Sequence, residues 1–317
     1  VANATVSRLG QVKAAGSEFA LFLQQFGGET LTSFNANTIL KPLLRWRNIS
    51  NGRTASFPVI HNASGGYHTP GEEIVGNAIQ HNELTVTADD LLISDVFIAN
   101  IDEAMNHYEV RAPYSEKLGA FLGESLDKNL SRCIYRATAA AELFAGDGGG
   151  TQLTNANYDT VATTLAGGIY DAKRTMEEAK LPVDSTPVYA AFQPLEWYML
   201  AQEDTLVLNK DVDGDGSYSK GTLNMIGGVK VLKSNNLRWG NNDANVGPTT
   251  DLTKYDADMS NTVGCVFTQD AVASVQLLGL ALESDYDIRR QGTLMVGKYA
   301  IGHSEFLPKA AVALNTA

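Results

Sequence analysis

A chain of 317 residues with 44% hydrophobic and 19% charged side chains carries enough apolar surface for a substantial core, which excludes a disordered polypeptide. A formal charge of −12 and an isoelectric point near 4.8 exclude a protein that grips nucleic acid through a broad basic surface, because neutralising phosphates takes clustered Lys and Arg. Cys133 and Cys265 stand far apart in apolar runs without a metal or redox spacing, so they read as reduced core residues.

In chain order, residues 1–18 are polar and small, like an arm, and Glu18 to Phe26 reads as a short amphipathic helix through Phe19, Phe22, Leu23 and Phe26. Thr30 to Trp46 continues with apolar residues at irregular spacing. No run is apolar enough to span a bilayer, and residues 1–16 lack a secretory pattern, so a soluble protein made in a reducing cytoplasm is expected. Asn51 to His81 is punctuated by Asn51-Gly52, Ser64-Gly65-Gly66, Pro70-Gly71 and Gly76-Asn77, and reads as a long two-stranded excursion. An isolated hairpin is marginal in water, so an excursion bearing Phe57, Pro58, Val59, Ile60 and Tyr67 calls for support from a partner.

The centre of the chain is a spine. From Glu83 to Ile98, apolar residues alternate with polar ones in two stretches broken at Asp89-Asp90, which predicts a two-part β segment with one buried face. A polar hinge follows at Asn100 to Ala112. A long helix is then expected from Pro113 to Phe144, with Leu118, Leu122, Leu126 and Leu130 every four residues, Phe121, Cys133, Ile134, Ala137 and Ala141 on the same side, and Gly146, Gly148, Gly149 and Gly150 ending it. At roughly 1.5 Å per residue it would run for about 48 Å, more than a compact domain of this size needs.

A second unit follows, with a helix expected over Asn157 to Lys180, a strand over Pro187 to Phe192 and a helix over Pro194 to Glu203. Strands are expected over Met225 to Leu232 and Val263 to Thr268, helix or strand over Ala271 to Ala281, and strand-like material over residues 282–314. Helices and strands mixed without a βαβ repeat define an α+β chain.

The sharpest local motif is Asp211-Val212-Asp213-Gly214-Asp215-Gly216. Asp211, Asp213 and Asp215 match the first half of a calcium loop, but Thr222 stands where a bidentate Glu belongs, so an acidic turn competes with a weak cation site. The histidines His61, His68, His81, His107 and His303 show no ligand spacing, and no nucleophile–base, phosphate-loop or dinucleotide signature is present. No catalytic residue and no cofactor are expected. A cation-dependent binding or adhesion module using residues 211–216 is the rival function.

Several stretches together carry a family likeness: Asp102-Glu103-Ala104-Met105-Asn106-His107-Tyr108-Glu109-Val110-Arg111, Phe57-Pro58-Val59, Pro70-Gly71-Glu72, and Lys298 to His303 with Leu307 to Ala311. Glu29 to Thr32 and Ile226 to Val229 fall in the same order. The chain resembles the major capsid proteins of short-tailed (podovirus, autographivirus-type) phages. That resemblance implies the Hong Kong-phage capsid fold of tailed-phage and herpesvirus shells. It implies an N-terminal arm over 1–50, an extended loop over 51–82, a peripheral domain over 83–150 and 285–317 with the spine helix, and an axial domain over 151–284. It further implies hexamers and pentamers of one chain closing an icosahedral head around double-stranded DNA, a scaffolding protein and a portal as partners, and no membrane. Phe57, Pro58 and Tyr67 become candidate contacts between copies, and Asn106, Gly146 and Gly148 candidate hinges. Some relatives staple their shells by a Lys–Asn bond from the extended loop. This chain has no Lys between Lys41 and Lys117, so a shell held by non-covalent contacts is expected.

Overall fold

The computed structural model of the chain describes residues 33–34, 37–101, 111–203, 223, 225–243 and 253–317. In order these form β1 (Arg45–Asn48), β2 (Thr54–Ile60), β3 (His81–Thr87), β4 (Leu92–Ala99), α1 (Arg111–Ala139), β5 (Thr151–Thr154), α2 (Ala162–Glu178), β6 (Val188–Phe192) and α3 (Pro194–Gln202). They continue with β7 (Met225–Ile226), β8 (Val229–Lys233), β9 (Asn242–Asp243), β10 (Ala257–Asp258), β11 (Thr262–Thr268), β12 (Val272–Asp287), β13 (Gly292–Glu305) and β14 (Ala311–Asn315). The class is α+β. The chain divides into two compact units, one of Val1–Thr38, Asp89–Leu126 and Leu278–Ile301, the other of Ile39–Ala88, Asp127–Leu277 and Gly302–Ala317.

In the first unit β4 runs antiparallel to β13, with Leu92 opposite Tyr299 and Ala99 opposite Gly292. Strand alternation turns Val96 and Ile98 toward Leu118 of α1, where Met295 and Leu282 complete a small core. Ile93 and Phe97, on the other face, stay exposed.

The second unit holds a six-stranded sheet in the order β5-β14-β11-β6-β8-β7. Leu165, Ile169, Ala172 and Met176 recur at helical spacing on α2 and pack with Val188, Phe192, Val266, Val312 and Leu314 of the sheet. Each of the larger of these side chains contributes about 1.5–3 kcal/mol when fully buried. Every residue of the central strand β11 is buried, and Gly264 stands opposite Phe192, whose ring occupies the space a Cβ would fill. The hairpin β2–β3 pairs Thr54 with Thr87 through Ile60 with His81. Its inner face, Ala55, Phe57 and Val86, closes on Ala273, Val275 and Phe306.

The structure redraws several elements expected from the sequence. The two-part β segment is two strands in different sheets: β3 pairs with β2, while β4 belongs to the sheet ordered β1-β12-β13-β4. The long helix spans 29 residues, about 44 Å at ~1.5 Å per residue, and it ends at Ala139, not Phe144. There the Ala140 N–H donates to the Ala137 carbonyl and the Gly150 N–H to the Ala140 carbonyl, so the chain turns back over the helix end. Phe121 and Ala141 are exposed, off the buried stripe. The helix expected over 157–180 begins at Ala162, because Asn155 makes a turn that accepts from Asn157 and Tyr158. Residues 225–232 are a hairpin: Gly227 (φ 58) and Gly228 (φ 80) both take the left-handed conformation that a tight two-residue turn needs. The 271–281 stretch is strand from Val272 on, Ala271 closing a short 3-10 turn. The amphipathic segment at 18–26 and the 102–110 part of the hinge lie outside the described residues.

The return of the chain at Gly150 gives a direct test. A Cβ at Gly150 would run into the backbone of Ala137 and Thr138, whereas Gly146 (φ 81) has open space around it. Gly150→Ala is expected to lower unfolding stability by about 1–3 kcal/mol and Gly146→Ala by about 1 kcal/mol from backbone strain alone, measured by urea titration of unassembled protein.

Candidate functional site: an anchored helix and a projecting hairpin

Helix α1 buries two stripes, not one. Leu118, Leu122, Leu126 and Leu130 form the apolar stripe, and beside it Ser115, Gly119, Gly123, Asp127 and Ser131 repeat at the same spacing of four. The small residues admit other backbone. In the first unit the Phe34 carbonyl lies 3.0 Å from where a Gly123 Cβ would stand, the Ser33 hydroxyl donates to the Glu116 carbonyl at 2.7 Å, and the Tyr299 hydroxyl donates to the Leu122 carbonyl at 3.3 Å.

In the second unit the polar members of that stripe hold chain that has no regular structure of its own. Asp127 accepts the Ile39 N–H at 2.9 Å and the Leu40 N–H at 3.3 Å. Burial pushes its carboxyl up to about 6, against the downward pull of those two donors and the Asn236 amide. The Ser131 hydroxyl accepts the Arg238 N–H at 3.3 Å. Arg132, almost wholly buried, donates to Asp243 at 3.0 Å, and Arg238 reaches the same carboxylate at 2.6 and 2.8 Å. Burial acts to raise the Asp243 carboxyl, but Arg238 and Arg132 hold it below the usual carboxylate range. His303 is enclosed by Trp46 and Tyr255 and shares a 2.8 Å hydrogen bond with Ser274. Burial, helped by the Lys254 ammonium, pushes its imidazole down to about 3, so it is neutral.

The hairpin is held differently. Phe57 is buried at 6% exposure against Phe306, ring centroids 5.9 Å apart, with the Arg47 guanidinium over its ring. Strand alternation turns Phe57 into the core of its own chain. Pro58, its neighbour, faces out. His61 stacks on Phe144 with centroids 4.7 Å apart and closes the ladder through its N–H to the Gln80 carbonyl. Beyond that point residues 62–80 are exposed without regular structure, and Tyr67, Ile74 and Val75 meet no core.

The remaining candidates are placed as follows. Gly146 (φ 81) and Gly148 (φ 88) take left-handed backbone in the loop after α1. Asn106, and Asp211, Asp213 and Asp215, lie outside the described residues. Among the described residues no group of His, Cys, Asp and Glu could hold a metal ion, and no helix is long and apolar enough to cross a membrane. Cys133 and Cys265 are buried and form no disulfide among the described residues, and burial pushes the Cys265 thiol far up.

A long helix beside a four-stranded sheet, a projecting hairpin and a separate six-stranded sheet with its helices make up a tailed-phage capsid subunit. The mature capsid of bacteriophage PhiM1 superposes with a TM-score of 0.73 at 15% identity, covering 89% of this chain and 87% of that one, and shows the same fold. The capsid structure of cyanophage P-SCSP1u matches with a TM-score of 0.79 and 35% identity over 100% of this chain and 99% of that one. A family model described as Gp10A-like major capsid protein matches residues 56–315, and the chain belongs to that family. It is 30% identical to the major capsid protein of Enterobacteria phage T3, covering 96% of this chain and 94% of that protein, and 28% identical to that of Escherichia phage T7 at the same coverages.

The buried ionisable groups set opposite pH trends. Asp127, raised from 3.8 to about 6, contributes stability that is complete below pH 3.8 and lost as pH rises through about 6. His303, lowered from 6.5 to about 3, contributes stability present above pH 6.5 and lost as pH falls toward 3. Urea unfolding of the unassembled chain between pH 4 and 8 is expected to show each trend disappear in Asp127→Asn and His303→Gln respectively. Asp127→Ala should cost about 1–3 kcal/mol for each N–H left without an acceptor.

Proposed function

We propose that the chain, a structural capsid protein of a phage virion, works as a tile whose single sequence forms hexamers and pentamers of a closed icosahedral head around double-stranded DNA. One observation carries this reading: a hairpin anchored by Phe57 and His61 runs on with Ile60, Tyr67, Ile74 and Val75 in solvent. Exposed apolar chain of this length is a liability in a monomer and an interface in an assembly. Neighbouring copies cover it, with Pro58 and Tyr67 among the contacts, and obligate interfaces of this kind exceed about 2,000 Å².

In this reading residues 1–50 act as arm, 51–82 as extended loop, 83–150 with 285–317 as peripheral domain and 151–284 as axial domain. Assembly takes place in the host cytoplasm around a scaffolding protein and a portal. Packaging is accompanied by expansion, with Asn106, Gly146 and Gly148 as bending points, the two glycines because their left-handed backbone sits in a loop. The net charge of −12 keeps packaged DNA from sticking to the wall. The loop lacks the Lys that an amide staple needs, so the shell is non-covalent.

Size-exclusion chromatography and negative-stain microscopy of the chain, expressed with and without the scaffold, test the reading. Closed shells or hexamers and pentamers are expected, and these should run as a single monomer band on denaturing gels. A monomer under both conditions contradicts the tile; a ladder of covalent multimers contradicts the non-covalent shell.

A further inference from the structure

Two exposed turns carry opposite charge next to exposed aliphatic residues. The first lies in the projecting hairpin. The Glu72 N–H donates to the Thr69 carbonyl at 3.2 Å across Pro70-Gly71, with Gly71 at φ 101, the geometry of a Pro-Gly turn. That turn presents Glu72-Glu73, followed by Ile74 and Val75 at 79% and 80% exposure. Neither carboxylate has a side-chain partner among the described residues.

The second joins β12 to β13. The Asp287 carboxylate accepts the Arg289 N–H at 2.8 Å, the Gln291 side-chain amide donates to the Ile288 carbonyl at 2.7 Å and accepts from the Tyr286 hydroxyl at 3.2 Å, and the Asn100 N–H donates to the Gln291 carbonyl at 3.0 Å. The turn is thus fixed from within and from β4's end. It presents Ile288, 72% exposed, with Arg289 and Arg290. Basic residues stand side by side at two places in the sequence, here and at Lys173-Arg174. The second pair is neutralised by Asp171, Glu177 and Asp184 of its own chain. Arg290 meets its own turn's Asp287 at 3.6 Å, and the Arg289 guanidinium has no partner among the described residues.

We propose that the 69–75 turn of one copy docks on the 287–291 turn of a second copy, Glu72 and Glu73 pairing with Arg289 and Arg290 while Ile74 and Val75 cover Ile288. The inference rests on the tile reading and adds where the hairpin lands. The matched signs in an otherwise acidic chain select this partner. Both turns are set by hydrogen bonds within them, which limits the ordering cost of docking.

The test is a charge exchange in the full chain, with shells quantified by sedimentation and subunit integrity checked by circular dichroism melting. E72R/E73R and R289E/R290E are each expected to lower shell yield about tenfold or more with unchanged melting, since all four side chains are exposed. The variant carrying all four changes is expected to recover most of the wild-type yield. Reversal variants that assemble like wild type, or a combined variant no better than either parent, overturn the proposal while leaving the tile reading intact. Wild-type protein that forms no shells refutes the tile reading, and the docking with it.

Discussion

The fold hangs on the polar side of α1. A helix with a leucine stripe alone packs against a sheet, as Leu118 does with Ile98 and Met295. It does not hold irregular chain, because backbone N–H groups brought against leucine would go unpaired in a dry site. The second stripe removes that obstacle: glycine where backbone must approach, as at Gly123, and acceptors where it must be held, as at Asp127 and Ser131. Asp127 alone satisfies two consecutive N–H groups 87 and 88 residues away in sequence. Its carboxyl is raised because burial outweighs those bonds, so the same contact that orders residues 39–40 becomes dearer as it ionises.

A different constraint shapes the hairpin. β2 and β3 bury one face on Phe306, Ala273 and Val275, and His61 on Phe144 makes the last internal contact. Everything that follows is built locally, by the Pro-Gly turn and by the Asn77 amide on the Ser64 carbonyl at 3.4 Å. A locally shaped, apolar and acidic tip is suited to an assembly, where the surface that stabilises it belongs to another molecule. The division of labour is physical: the base of the hairpin is fixed by the chain's own core, and the tip is left for a partner.

Much of this was legible in the sequence, for reasons that particular residues make clear. Alternation at Leu84, Val86, Val96 and Ile98 showed strands, and leucines every four residues showed the long helix, because burial on one face leaves a period. The period could not say that the two strands enter different sheets, since pairing partners lie up to about two hundred residues away. The glycine run marked a stop, yet the helix ends sooner because Gly150 folds back onto Ala137 and Thr138. Apolar company around Phe57 says only that the segment is covered, and it takes the alternation of β2 to put that side chain inside its own chain. Asp127 and Arg132 were missed, although Ser115, Gly119, Gly123, Asp127 and Ser131 beside the leucines were the signal: small and polar residues at helical spacing on a buried helix. The partners Ile39, Leu40 and Asp243 carried no local mark at all.

The central claim is that the projecting hairpin is completed by other copies of the chain. Amide hydrogen exchange over residues 61–80, compared between assembled shells and unassembled subunits, tests it most directly. The account predicts strong new protection there on assembly, with β11 and β14 protected alike in both states. Equal, fast exchange of residues 61–80 in shells and in subunits would contradict it.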